Sequence, residues 1–239
     1  MKRIILAASA LLISASAVFA QNQPTTANPK VLPMFGKQAK TEAQQMADEK
    51  FLTSCDKSFT SRTEASNFFM ERGWEYYNEG QADTAVYRFN LAWLLNPDNH
   101  NTYWAFGLVE YSKGNSKVAI DMYERALKYQ PNNSLLLSDA GTALVSQFNT
   151  DKKKKNLKQA AAYLDRAVAI DSANAFALSG LSQVRYHQKK YAEAWDYLHK
   201  GRDINMQSLD YNFLAELMVR MPDPKGMFRN EAQPAEQAQ

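Results

Sequence analysis

Few side chains in this 239-residue sequence have the means to do chemistry: three histidines, one cysteine, scattered carboxylate pairs and one lysine run. His100, His187 and His199 could bind a metal only as a cluster, and none pairs with another at the spacing that puts two ligands on one helix face. Glu71 with Glu75, or Asp196 with Asp203, could be paired on paper as acid and base, but solvated helix faces produce such spacings routinely. There is no glycine loop to cradle phosphate and no G-x-S-x-G elbow to hold a nucleophile. Cys55 is the sole cysteine, so an internal disulfide is impossible; it reads as a small buried apolar residue, with an intermolecular disulfide as the alternative. The expectation is a chain that is not an enzyme and uses no cofactor and no metal. The run DKKKKNLK at 151–158 holds five lysines, and Lys152 to Lys155 could attract an anionic envelope polymer or lipid head groups, or simply solvate the start of a helix.

The elements that would have to position these groups begin after residue 20. Lys2 and Arg3 precede an apolar, serine-broken run from Ile4 to Phe19, with Val18 and Ala20 flanking a cleavage site, and this predicts a signal peptide over 1–20. A retained membrane anchor is the competing reading, against which the run is short and built largely of Ala and Ser. Removal of 1–20 takes two of 28 basic residues and none of 25 acidic ones, leaving a mature charge of +1. A near-neutral exported protein lacks the positive field of a nucleic-acid binder, so that class is set aside. The predicted location is the periplasm or the medium.

Gln21 to Lys40 carries Pro24, Pro29, Pro33 and Gly36 among polar residues, which predicts a flexible linker over 21–40. Thr41 with Gln44 and Ser61 with Glu64 are capping-box patterns, in which each side chain takes the other residue's free backbone amide, and each opens a helix. A shift of the sequence by 34 residues then superposes Gly73 on Gly107, Gly80 on Gly114, Ala85 on Ala119, Phe89 on Tyr123, Ala92 on Ala126 and Pro97 on Pro131. Residues 66–99 read Phe69-x2-Arg72-Gly73-x2-Tyr76, Ala85-x3-Phe89, Pro97; residues 100–133 read Tyr103-x2-Phe106-Gly107-x2-Glu110, Ala119-x3-Tyr123, Pro131.

This pattern resembles the tetratricopeptide (TPR) repeat, a helix–turn–helix unit of 34 residues. Two weaker units follow: 134–174 keeps Leu137, Gly141 and Leu144 but reaches Ala160, Leu164 and Ala167 seven residues late, and 175–208 keeps Leu178, Leu181, Ala194 and Leu198 with Ser182 at the glycine position. The expected fold is an all-α solenoid of about four such hairpins within a domain spanning 41–221, with a leading helix and a capping helix over 208–221, then a disordered tail over 222–239. Small residues let paired helices approach, rings fill the space, and Pro97 and Pro131 stop the second helix of each unit. The polar break Asn96 to Asn101 then reads as punctuation between units.

The resemblance further implies that the first helix of each unit lines a concave face. Inward positions fall on Asn67, Met70, Trp74 and Tyr77; on Asn101, Trp104, Leu108 and Tyr111; on Leu135, Ser138, Thr142 and Val145; and on Phe176, Ser179, Gln183 and Tyr186. Exposed rings there favour capture of a peptide or helix. The implied function is a protein–protein interaction module of the cell envelope, with Asn67, Trp74, Tyr77, Asn101, Trp104, Tyr111 and Tyr186 as the partner-contacting set. Two alternatives stand beside it: self-association through the repeat ends, and a leading helix folded into the groove so that the tryptophans are core. Some family members grip a terminal carboxylate with lysine and asparagine; Met70 and Trp74 stand at those positions here, so that mode is not expected.

Overall fold

The computed structural model describes residues 28–228, and the signal-peptide region 1–20 with the outer part of the C-terminal tail lies outside them. Among the described residues there are ten α-helices and no strand: α1 Glu42–Ser58, α2 Arg62–Asn78, α3 Ala82–Leu95, α4 His100–Ser112, α5 Ser116–Tyr129, α6 Ser134–Asp151, α7 Lys154–Ile170, α8 Ala175–His187, α9 Tyr191–Ile204 and α10 Tyr211–Arg220. Helices α2/α3, α4/α5, α6/α7 and α8/α9 form four successive hairpins, α1 leads them, and α10 caps the last. No described helix is long and apolar enough to cross a membrane.

Each of the first three hairpins closes on a glycine. An ideal Cβ on Gly73 would lie 2.2 Å from a ring carbon of Phe89, and one on Gly107 would lie 2.4 Å from the Tyr123 ring. Phe89 and Tyr123 are sealed from solvent, so a side chain has replaced the missing methyl at full packing density. In the third hairpin Leu164 sits 2.5 Å from the same point on Gly141. The seven extra residues lengthen α6 to 18 and α7 to 17 residues, against 13 and 14 in α4 and α5. Seven residues are about two helical turns. Divided between the two helices, they return Leu164 to the face where it meets Gly141. The fourth hairpin has Ser182 at the glycine position, and its hydroxyl donates to Ala194 O at 2.7 Å.

The polar breaks tie the hairpins together. Asn99, Asn133 and Asn174 are the N-caps of α4, α6 and α8, and their side-chain oxygens accept from Asn101 N, Leu136 N and Ala177 N. Two of them also reach back one unit: the amide nitrogen of Asn99 donates to Ser66 Oγ at 2.9 Å and that of Asn174 to Ser134 Oγ at 2.8 Å. Those hydroxyls in turn donate to Ala92 O and Ala167 O. The break at 96–101 is thus a hydrogen-bonded joint. At Thr41 both halves of the capping box form. At Ser61 only one does, because the Glu64 carboxylate is taken by the backbone and hydroxyl of Thr60.

Two segments differ from the sequence expectation. Residues 28–40, expected as flexible linker, form two 3₁₀ turns, Pro29–Val31 and Pro33–Lys37, that lie along α3. The buried side-chain amide of Asn90 donates to Lys30 O and Leu32 O, both at 2.9 Å, and its oxygen accepts from Phe35 N at 3.3 Å, while Met34 plugs into the core. Proline and glycine here shape a strap rather than break order, since residues 34–37 all take left-handed backbone angles. At the other end, residues 222–228, expected as disordered tail, fold back on α9. Trp195 Nε1 donates to Met221 O at 3.0 Å, and Phe228 stacks on the rings of Trp195 and His199.

Gly107→Ala is expected to destabilise the fold by about 1–3 kcal/mol in urea unfolding, because the Tyr123 ring must leave its seat, outweighing a helix-propensity gain of about 1 kcal/mol. Asn90→Ala, which removes the three hydrogen bonds between this side chain and the strap, should leave helicity intact while trypsin gains access at Lys30 and Lys37; unchanged digestion would show that Met34 and the strap's lysine contacts hold it without Asn90.

Candidate functional site

The first helix of each hairpin supplies the inner face in a solenoid of this kind. Trp74 and Tyr77 stand on α2, Trp104 and Tyr111 on α4, and all four are half-buried. Trp74 packs edge-on against Tyr77 and against Phe89, with ring centroids 5.7 and 5.1 Å apart. Trp74, Tyr77, Trp104 and Tyr111 thus each pack partly on the core and keep some surface open to solvent. Trp104 leans toward the next unit, where its Nε1–H donates to Asp139 Oδ2 on α6 at 2.7 Å.

Asp139 is the residue that sequence reasoning missed. Burial pushes its carboxyl up to about 6, and the Trp104 hydrogen bond only partly opposes that. Around it stand phenols: burial, Asp210 and Asp139 raise Tyr111, and burial, Asp139, Tyr111 and Tyr77 raise Tyr123 well above the ordinary tyrosine range. A carboxylate and three phenols from three hairpins thus share one region, with Asp210 at the N-cap of α10 close by. A single polar residue in an apolar helix carries no periodic signal. The available hint was its offset of 35 from Trp104, close to one repeat.

The other expected contact residues are dispersed. Asn67 and Asn101 are exposed, but Asn67 accepts from Asn99 Nδ2 at 3.3 Å, and the backbone of Asn101 is held by the same Asn99. Both belong to the joint between the first two hairpins. Tyr186 lies at the far end among Tyr191, Phe213 and His187, packed edge-on against Phe213 of the capping helix. Met70, Ser138 and Val145 are core residues, whereas Leu135 and Phe176 are half exposed. Helix α1 does not fill the trough. Phe51, Leu52 and Cys55 pack on Ala65, Phe69 and Leu95 at the end of the stack.

The remaining reactive groups have structural partners. His199 is fully buried with Nε2 2.9 Å from Asp223 Oδ1. Burial would raise Asp223, but backbone N–H groups of Phe228 and Lys225, with His199, hold it below the usual range. His187 packs on Phe148, and burial, followed by Lys152, pulls its pKa down. His100 meets Gln130. No group of three metal-capable side chains occurs among the described residues. The thiol of Cys55 is raised by burial first and by Asp56 second. In the lysine run, Lys152 turns the corner between α6 and α7 with φ 54°, and Asp151 accepts from Lys153 N at 2.9 Å and from the Asn156 amide. A cavity of about 230 Å³ lies beneath the N-terminal strap, between Phe35, Phe51, Tyr87 and Leu91, remote from the ring-lined trough.

Four stacked helical hairpins, closed on glycine and joined at asparagine caps, define a TPR solenoid, and the chain has that fold. Solved structures agree: PilF of Pseudomonas aeruginosa is 21% identical with a TM-score of 0.55, covering 71% of this chain and 79% of its own. The thermophilic TPR protein TTC0263 of Thermus thermophilus is 18% identical with a TM-score of 0.57 over 65% of this chain and 82% of its own. A MamA protein gives 19% and 0.52 over 66% and 82%. Among curated proteins, anaphase-promoting complex subunit 3 of Schizosaccharomyces pombe is 28% identical over 167 residues, 68% of this chain, and the chain spans only 24% of that protein's length. No protein-family model matches the chain.

The sign of the Asp139 shift fixes a pH dependence. The folded chain holds this proton more tightly than the unfolded chain, so the associated stability is present below about pH 4 and is lost as pH rises through about 6. Asp139→Asn keeps an acceptor for Trp104 and removes the buried charge. It should stabilise the chain by about 1–3 kcal/mol at pH 7 and change little at pH 4, measured by urea unfolding at both.

Proposed function

We propose that this chain is a non-enzymatic interaction module of the cell envelope that docks a protein segment along its inner face. The observation that carries the reading is the row of half-buried rings Trp74, Tyr77, Trp104 and Tyr111 on consecutive first helices, left uncovered by α1. Half-buried aromatics combine large apolar area with few rotatable bonds, which makes them efficient anchors for a partner. A fold shared with solved TPR proteins supports binding as the activity, and the charged-then-apolar start of the sequence supports export to the periplasm or beyond.

Self-association through the repeat ends and attraction through Lys152–Lys155 are the competing modes. Affinity capture from native envelope with the wild-type chain, Trp74→Ala, Trp104→Ala, and a variant with Lys152 to Lys155 all changed to Gln separates them. Docking on the rings predicts that either tryptophan variant loses the captured species while keeping its helical circular dichroism, and that the glutamine variant retains it. Capture lost only with the lysines, or concentration-dependent sedimentation untouched by the tryptophan variants, overturns the reading.

A further inference from the structure

The trough has a chemical character beyond its rings. Asp139 is half-buried, and of its two carboxylate oxygens only Oδ2 receives a hydrogen bond from the protein, given by Trp104. No lysine or arginine among the described residues pairs with it. Helices α4 and α6, the two walls at this point, contain neither residue type. The hydroxyls of Tyr77, Tyr111 and Tyr123 likewise have no hydrogen-bond partner among the described residues, although Asp139 and these tyrosines are near enough to perturb one another. The nearby Asp210 adds a second negative group. A half-buried carboxylate without a counter-ion, its second oxygen lacking a protein partner, keeps an acceptor free for a ligand. Such a group, set among indole and phenol rings, is complementary to one kind of visitor: a cation that also presents several N–H donors and a flat or compact apolar neck.

We propose that the α4–α6 section of the trough is a recognition pocket for an arginine or lysine side chain of the docked segment. Asp139 Oδ1 accepts from the cation, the hydroxyls of the half-buried Tyr77 and Tyr111 take its remaining N–H groups, and the faces of Trp104 and Tyr111 flank its aliphatic stem. The proposal rests on docking along the inner face and adds the residue class the partner must carry there. It is the charge inverse of a lysine-lined groove that grips a carboxylate. The Asp139 carboxylate is fixed in place by Trp104, so little ordering is needed on binding.

The test uses the purified full chain and three blocked peptides, acetyl-Ala-Arg-Ala-amide, acetyl-Ala-Lys-Ala-amide and acetyl-Ala-citrulline-Ala-amide; citrulline keeps the shape of arginine without its charge. The readout is the indole N–H resonance of Trp104, assigned by its loss in Trp104→Phe. Both cationic peptides should move this resonance, and the citrulline peptide should bind more weakly by about tenfold or more. Asp139→Asn, which preserves the Trp104 contact, should abolish the preference, and Tyr111→Phe should reduce it. Equal binding of arginine and citrulline peptides, or a preference that survives Asp139→Asn, overturns the proposal. Loss of cation preference alongside tryptophan-dependent capture would leave docking in place and remove only the pocket. Capture indifferent to both tryptophans removes the docking reading itself. Sedimentation that shows wild-type dimers and Asp139→Asn monomers would assign the pocket to a basic side chain of a second copy and overturn the peptide assignment.

Discussion

The absence of a single methyl group governs this stack. At Gly73 and Gly107 the second helix of the hairpin presses a ring into the space that any other residue would fill, and the contact is too close for a Cβ to share. Full burial of such a ring contributes about 2–3 kcal/mol, and it also sets the distance between paired helices. Once that distance is set, Ala85, Ala92, Ala119 and Ala126 can be fully buried in adjoining layers, and the next unit inherits a surface of the right depth. The third hairpin shows how strong the constraint is. An insertion of about two turns is accommodated on both helices so that Leu164 still covers Gly141.

Polar groups in the interior follow two different rules. The asparagine caps, the serines they reach and the carbonyls beyond them form closed chains of donors and acceptors, so their burial is nearly neutral and their geometry specific. Asp139, half-buried at the edge of that interior, has one oxygen bonded to the protein and no counter-ion among the described residues. The same scaffold therefore holds a polar framework that is complete and a polar site that is not. That contrast separates joints from a place where a ligand can supply the missing partner.

Legibility from the sequence tracked steric necessity. Gly73, Gly107, Ala85, Ala119, Pro97 and Pro131 recur because a helical hairpin permits little else at those positions, and their spacing was enough to give the hairpins, while the Thr41–Gln44 capping box marked the leading helix. The ring positions Trp74, Tyr77, Trp104 and Tyr111 followed from the same register. What escaped depends on single contacts between distant residues. The strap at 28–40 looks like a linker by its prolines, and the residue that holds it, Asn90, lies 58 and 60 positions away from the carbonyls it binds. The fold-back of 222–228 rests on Trp195, His199 and Phe228, whose meeting has no period. Tyr186 was placed by register on the inner face, but α10 arrives there too, a matter of tertiary order that a repeat pattern does not encode.

The strap along α3 also fixes a direction. It lies against second helices, which form the outer wall of such a solenoid, and Lys37 reaches on to Asp121 of α5. Residue 28 consequently enters the domain from the back, with the full thickness of a hairpin between it and the ring-lined front. A label or surface attached at residue 28 would therefore sit against the second helices and leave the first helices, with Trp74 and Trp104, like an open palm on the other side.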